Sequence, residues 1–300
     1  MTTASIQKTS LGEKIKGFIT LMKLRVVELL LITTIPTMII AEEGLPSVLL
    51  ILSTLLGGTL AAGGANAINM FIDRDIDPLM ERTKNRPLVT GVLSPAEALT
   101  FAISIEVFAF LWLWLTVNLL SAVLAVGACL FYVFIYSLWL KRTSSSNIVI
   151  GGAAGAAPVL IGWSAVENSL DWPPLILFAL IFLWTPPHFW ALAIRYRDDY
   201  SSAKIPMLPV VAGPEFTGSK MVLYSLEVWA VSIIFAPVAD MGLIYFCSAL
   251  VLGAIFVFLA FQVRYRQTER SAMRLFGFSI TYLTLLFLMI AVDELVRSGF

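Results

Sequence analysis

The sequence predicts an all-α, polytopic membrane protein, with nine transmembrane helices around a central cavity and the N-terminus in the cytoplasm. Three observations lead there. The 300 residues are 59% hydrophobic and only 13% charged, with a mean hydropathy of +0.88, which excludes an ordinary soluble domain. The apolar residues come in blocks of about twenty, the length that crosses ~30 Å of hydrocarbon as a helix; a barrel would show short alternating segments. The charges are also sorted by side. With the N-terminus and the ends of even-numbered spans placed inside, that side collects 19 of the 20 Lys and Arg residues, and only Arg297 falls opposite. This is the positive-inside pattern. Formal net charge is zero, so bulk charge says nothing about partners.

The spans read, in order, as about 24–42, 47–70, 97–115, 119–139, 147–165, 173–194, 220–238, 243–262 and 275–294. Their outer connections are short and carry Glu42, Glu43, Glu167, Asp171 and Asp240. The inner connections at about 71–96 and 195–219 are longer and rich in charge, and Lys141-Arg142 and Arg264–Arg270 mark two short basic ones. The chain is expected to be one domain, 1–300, with its functional loops on the cytoplasmic face. The two acid-rich loops follow the second and sixth spans, which hints at two similar halves facing one cavity. Small-residue tracts at 57–58, 61–65 and 151–158 suit close helix packing, and their bare backbone also leaves room for a flat, bulky ligand. Cys129 and Cys247 fall inside spans, against a disulfide framework or a Cys-based metal site. The first twenty residues carry neither a cleavable apolar core nor an Arg-rich transit pattern. A bacterial cytoplasmic (inner) membrane is the expected location.

The chemistry concentrates at Asn69-Met-Phe-Ile-Asp73-Arg-Asp75-Ile-Asp77-Pro78, fused to the end of the second span. Carboxylates are costly beside a bilayer, and acids at a helix C-terminus oppose its dipole unless a cation offsets them. Asn69, Asp73 and Asp77 are spaced i, i+4, i+8, so a continuing helix would stack them on one face, although Pro78 disfavours helical geometry at Asp77. Arg82, Lys84 and Arg86 follow at once. Acid, metal and base together suggest a polyphosphate. Asp198-Asp199 and Lys204 in the other loop read as the second half of a clamp, since Mg²⁺ prefers one or two carboxylates plus phosphate oxygens and water. Arg74, Lys141, Arg142 and Lys204 are the candidates to neutralise a departing diphosphate.

His188 is the single histidine, in Trp184-Thr-Pro-Pro-His188-Phe-Trp190. It is either hydrogen-bonded structure or, beside a proline pair that frees backbone groups, a haem ligand or proton carrier. Glu28, Glu106 and Glu227 are acids within or near spans and are candidates to line the cavity.

These residues resemble the UbiA-type intramembrane prenyltransferases, and within them the branch that farnesylates haem. The resemblance rests on Asn69-x₃-Asp73-x₃-Asp77 and on Lys23-Leu-Arg25-Val-Val. It also rests on Asp77-Pro-Leu-Met-Glu-Arg82-Thr-Lys-Asn-Arg86-Pro87, on the tract Asn147–Pro158, on Trp184–Trp190, on Tyr196-Arg-Asp-Asp-Tyr200 and on Ile205-Pro-Met-Leu-Pro209. Many members carry Asp-x₃-Asp as the second motif, whereas here Ser202 stands four residues after Asp198; the Asp-Asp-Tyr variant looks like the haem branch. The resemblance implies transfer of the farnesyl group of farnesyl diphosphate to a vinyl group of haem b, with addition of water, giving haem O. It implies two Mg²⁺ ions bridged by diphosphate and held by Asn69, Asp73, Asp77 and Asp198 or Asp199. It gives Asp73, Asp77, Asp198, Asp199 and Lys204 catalytic roles. The expected partners are the two substrates and the lipid bilayer, with a downstream haem-modifying enzyme or a terminal oxidase as a candidate and no nucleic acid. Two other readings compete: prenylation of an aromatic quinone precursor, and a cation-coupled transporter, which would be expected to hold its acids nearer the midplane.

Overall fold

The structure, a computed structural model, describes residues 10–299, apart from the side chains of residues 25, 26 and 28–31. Among the described residues every regular element is helical. A short amphipathic helix α1 (Leu11–Met22) leads into α2 (Leu24–Glu42) and α3 (Val48–Ile72), which runs out into two 3₁₀ turns, Asp73–Asp75 and Asp77–Leu79. Then come α4 (Pro95–Thr116) and α5 (Leu119–Leu130), the latter continuing through a π-helical stretch (Phe131–Leu140) into one last turn, α6 (Lys141–Thr143). The remaining long helices are α7 (Asn147–Glu167), α8 (Trp172–Arg195), α11 (Gly213–Val238), α12 (Leu243–Arg266) and α13 (Glu269–Arg297). Two short helices, α9 (Arg197–Ser202) and α10 (Leu208–Val211), lie in the loop after α8.

Each expected span coincides with a helix. Among the described residues eight are long and apolar enough to cross a membrane, and α2, of 19 residues, contributes the shorter apolar stretch Ile32–Glu42. α11 and α13 begin earlier than hydropathy suggests. Their first turns are polar, yet Pro214 at the first turn of α11 and the Thr268 cap on Ser271 N of α13 start the helices before the apolar residues do. α1 was not expected. A capping box between Ser10 and Glu13 starts it, and Lys14 pairs with Glu97 of α4. Its outer face leaves Leu11, Ile15 and Ile19 exposed at i, i+4, i+8.

Each membrane-length helix packs on the next, α13 returns to α2, and α2 also packs on α7. The ring is therefore closed, with contacts across it. One side, built from α7, α8 and α11 to α13, is filled by large side chains, among them Trp190, Phe235, Tyr245, Phe256, Tyr282 and Phe287, all fully buried. The other side closes on small residues. A Cβ at Gly57 would lie 2.5 Å from the Leu113 side chain, and one at Gly162 would lie 2.8 Å from the Thr34 carbonyl oxygen, so these positions hold helices together at distances other residues would not permit. Gly58 and Gly155 face open space instead. At the far end, Asp293 of α13 accepts from the backbone N–H groups of Gly242 (2.5 Å) and Tyr245 (3.1 Å), capping α12 from outside.

Candidate active site

Asn69 sits in the last turn of α3, and Asp73 is the residue that ends it, with φ −81° and ψ 0°. The side chain of Asn69 spans three elements. Its Nδ2 donates to Asp73 Oδ2 (3.0 Å) and to Ser137 Oγ (3.1 Å) of the π-helical stretch. Its Oδ1 accepts from Lys23 Nζ (3.0 Å), at the junction of α1 and α2. Lys141 pairs with Asp73 Oδ2. Asp73 is 0% exposed, and its other oxygen, Oδ1, is buried with no hydrogen-bond partner; Arg142 Nη2 is 4.0 Å away. A buried carboxylate oxygen without a donor is costly. It fits a site that takes a cation.

The π-helical stretch explains how Ser137 reaches Asn69 while Lys141 reaches Asp73. Such stretches are rare and concentrate at functional sites. Ser137 Oγ donates five residues back to the Tyr132 carbonyl (2.9 Å), and the N–H of Lys141 reaches Tyr136 in the same manner. Tyr132 and Tyr136 stack with centroids 5.3 Å apart. Tyr136 lies on Gly151, where a Cβ would come within 2.4 Å of the ring.

Asp77 departs from the expected shared face. The α-helix stops at Ile72, and the two 3₁₀ turns, the second holding Pro78, carry Asp77 away from the line of Asn69 and Asp73. There Asp77 is buried, and Arg86 Nη1 donates to both of its oxygens (2.7 and 2.8 Å). Burial pushes the Asp77 carboxyl up from the usual range, against the opposing pull of Arg86. Asp75 is exposed and takes a two-pronged pair from Arg142 (2.7 Å each). Arg142 also donates to the Ile72 carbonyl (3.1 Å), one of the groups the helix end leaves free. Arg74 turns outward. It donates to the Phe71 carbonyl (2.6 Å) and lies 4.3 Å over the Phe71 ring, away from the buried acids.

The two acid-rich loops dock on each other, as the clamp expectation requires. The backbone N–H of Arg82 donates to Asp199 Oδ2 (3.2 Å), and Ser202 Oγ, 2.8 Å from the Asp199 carbonyl, also lies 3.1 Å from the Leu79 carbonyl. Beneath them, Ile76 and Met80 of the first loop pack with Tyr200, Ala203, Ile205 and Met207 of the second. Asp198 and Lys204 are exposed, Lys204 with φ +54°. Among the described residues no three acidic, His or Cys side chains converge as a ready-made metal cage.

His188 of α8 is buried between Trp184 (centroids 4.3 Å) and Phe276 (4.7 Å), and its Nδ1 is 2.6 Å from Ser279 Oγ. Ser279 Oγ already donates its one proton to the Phe276 carbonyl (2.6 Å). In that arrangement Nδ1 donates to Ser279 and the lone pair lies on Nε2. Glu106 of α4 sets Oε1, without a hydrogen-bond partner, against Gly64. Glu227 is half-buried, and the Glu28 side chain lies outside the described residues.

Lys23 and Asn147 entered the sequence reading only as members of motif stretches, and Ser137 did not enter it. Lys23 is half-buried, and burial, with Arg86 and Lys141 nearby, pushes its pKa down to about 7. Ser137 and Asn147 carried no charge to mark them, yet Asn147 is 1% exposed with neither amide atom hydrogen-bonded. Lys23 alone had a visible signal, a basic residue at the inner end of the first span.

The sequence profile of the UbiA prenyltransferase family matches residues 30–288. The protoheme IX farnesyltransferase of Parafrankia sp. (strain EAN1pec) is 56% identical over 287 residues, covering 95% of this chain and 92% of the relative. That of Frankia alni is 56% identical over 290 residues (95% and 100% covered), and that of Streptomyces avermitilis 49% over 302 residues (99% of each). Among solved structures, a digeranylgeranylglyceryl phosphate synthase superposes with a TM-score of 0.78 at 18% identity, over 95% of this chain and 99% of that one. A UbiA homologue from Archaeoglobus fulgidus bound to GPP and Mg²⁺ gives 0.68 at 17%, over 91% and 99%. With its fold, its aspartate motif and nearly its whole length accounted for, the chain belongs to the UbiA prenyltransferase family.

Proposed function

We propose that the protein transfers the farnesyl group of farnesyl diphosphate to a vinyl group of haem b, with addition of water, giving haem O and diphosphate. Relatives that share 49–56% of its residues along almost the whole chain carry the name of that activity. Family membership sets the transporter reading aside. The observation within the site that carries the proposal is the buried, unpartnered Asp73 Oδ1 at the end of α3, an oxygen that suits a metal–diphosphate complex.

The enzyme is Mg²⁺-dependent on this reading. Asn69 Oδ1, Asp73 and Asp77, with Asp198 or Asp199 from the docked loop, would hold two Mg²⁺ ions together with the diphosphate. Bound there, Mg²⁺ supplies charge that stabilises the diphosphate as it leaves. The protein's own part is orientation and charge. Ser137 fixes the Asn69 amide so that its oxygen points away from Asp73 Oδ2. Lys141 and Arg142 flank Asp73, and Lys204 stands exposed in the facing loop, near in sequence to Asp198 and Asp199. They draw electron density onto the leaving oxygens as the C–O bond of the farnesyl chain breaks. The vinyl carbon of haem b forms the new C–C bond, and water adds to the neighbouring carbon and releases a proton. The apolar bundle suits this order of events because it holds the isoprenoid and limits water to the last step. The Nε2 lone pair of His188 is the candidate contact for the haem.

The protein is a multi-pass membrane protein. We place the clamp on the cytoplasmic face of a bacterial inner membrane, in a single domain, because the basic residues gather there and the named relatives are bacterial. Incubating the purified protein with haem b, farnesyl diphosphate and Mg²⁺ and weighing the porphyrins tests the proposal. A product heavier by one farnesyl group and one water is expected; its absence from folded, Mg²⁺-supplied protein contradicts it.

A further inference from the structure

Asn69 has one atom to offer a cation, and that atom is taken. Nδ2 carries only protons, and they go to Asp73 Oδ2 and Ser137 Oγ. Oδ1 is the sole coordinating atom, and Lys23 Nζ lies on it at 3.0 Å. Lys141 likewise occupies Asp73 Oδ2, while Asp73 Oδ1 stays without a partner. The site thus presents one open ligand oxygen and two filled by ammonium groups. Two positive charges about 4 Å apart repel by several kcal/mol near a protein surface, so a divalent ion and the Lys23 ammonium exclude one another at Asn69 Oδ1.

Lys23 is built to move rather than to stay. It stands at the single left-handed residue joining α1 to α2, φ 51° and ψ 50°, and its charge rides on a four-carbon stem with three rotatable donors. Cations crowd its surroundings: Arg82, Arg86 and Lys141 lie close enough to act on it, against Asp73. Among the described residues the acid acting on it, Asp73, is already paired with Lys141, so the ammonium has no second anion at hand there. A diphosphate arriving with its metal brings one.

Resting on the metal–diphosphate reading above, we infer that Lys23 is an exchange residue: it occupies the Asn69 ligand oxygen when the site is empty and moves to the diphosphate when metal and substrate arrive together. The consequence is coupling. Lys23 opposes metal binding alone and favours metal plus diphosphate, which makes the two bind cooperatively. A residue that merely braced Asn69 would favour both.

The test uses the full-length protein in detergent, with Mn²⁺ as the spectroscopic stand-in and inorganic pyrophosphate as the anion. Free Mn²⁺ is followed by electron paramagnetic resonance. Lys23→Met is expected to bind Mn²⁺ alone about tenfold more tightly and Mn²⁺-pyrophosphate about tenfold more weakly than wild type, the scale of one charge-assisted contact. Lys23→Gln, which drops the charge but keeps a donor, should shift both in the same directions and serves if the methionine variant fails to fold. Mn²⁺ affinity that stays the same or weakens in the folded variants overturns the exchange role. Asp73→Asn separates the two readings. If it releases Mn²⁺ while the Lys23 variants change nothing, only the exchange role falls; if Mn²⁺ stays bound to it, the clamp reading falls as well.

Discussion

The Asn69 amide donates 3.0 Å to Asp73 Oδ2 across the last turn of α3, and the arrangement leaves the other Asp73 oxygen buried without a donor. Ser137 takes the second amide proton. One hydrogen-bonded side chain thereby decides which oxygen of its neighbour remains open.

Removing Ser137 tests that orientation. Ser137→Ala keeps every charge and leaves the acids in place, but the amide loses the partner that fixes it. Groups that orient metal ligands typically matter by about 10–100-fold in affinity. The Mg²⁺ concentration for half-maximal turnover should rise by about tenfold, with turnover largely restored at saturating Mg²⁺. An unchanged Mg²⁺ requirement would mean that Ser137 does not set the amide.

Arg86→Ala should act mainly on stability. Asp77 is buried, and Arg86 is its two-pronged partner, so removing it strands a carboxylate; breaking a buried pair from one side costs about 3–5 kcal/mol. A lowered thermal midpoint in detergent checks this. Arg86→Lys should recover much of the loss, because a single nitrogen, Nη1, serves both Asp77 oxygens and an ammonium can stand in its place. A midpoint equal to wild type in Arg86→Ala would contradict the burial of Asp77.

Asp293 offers a contrast far from the acidic loops. Asp293→Ala removes the acceptor for two N–H groups at the start of α12, a loss of about 1–2 kcal/mol on the scale of helix caps. Thermal unfolding should register it while kcat and KM per folded molecule hold.

His188→Ala separates structure from haem contact. With Nδ1 committed to Ser279 and Nε2 bearing the lone pair, loss of the imidazole should shift the Soret band of bound haem b and weaken binding. Ser279→Ala, which frees Nδ1, should do the same to a smaller degree. Unaltered haem spectra in both variants would assign His188 to packing with Trp184 and Phe276.

The spans were legible because hydrophobic length is a direct consequence of bilayer thickness, and the clamp loops because charge beside a span is costly. What stayed hidden depends on the third dimension. Asp77 left the helical face at Pro78, and only its partner Arg86 shows where it went. Lys23 and Ser137 lie 46 and 68 residues from the Asn69 they touch, and neither separation has a local signature. The π-helical register that brings Lys141 to Asp73 reads as ordinary apolar sequence, Phe131-Tyr-Val-Phe-Ile-Tyr. α1 escaped because 12 residues with one apolar face resemble the polar ends that precede any first span.

The most direct test of the clamp compares wild type with Asp73→Asn in one turnover of haem b and farnesyl diphosphate at saturating Mg²⁺, with product identified by mass. The amide is nearly isosteric, so folding and membrane insertion should persist. Wild type should yield the farnesyl-plus-water adduct of haem b, and Asp73→Asn should yield none within the same time. Adduct formation by Asp73→Asn at the wild-type rate would contradict the assignment of the buried carboxylate to diphosphate departure.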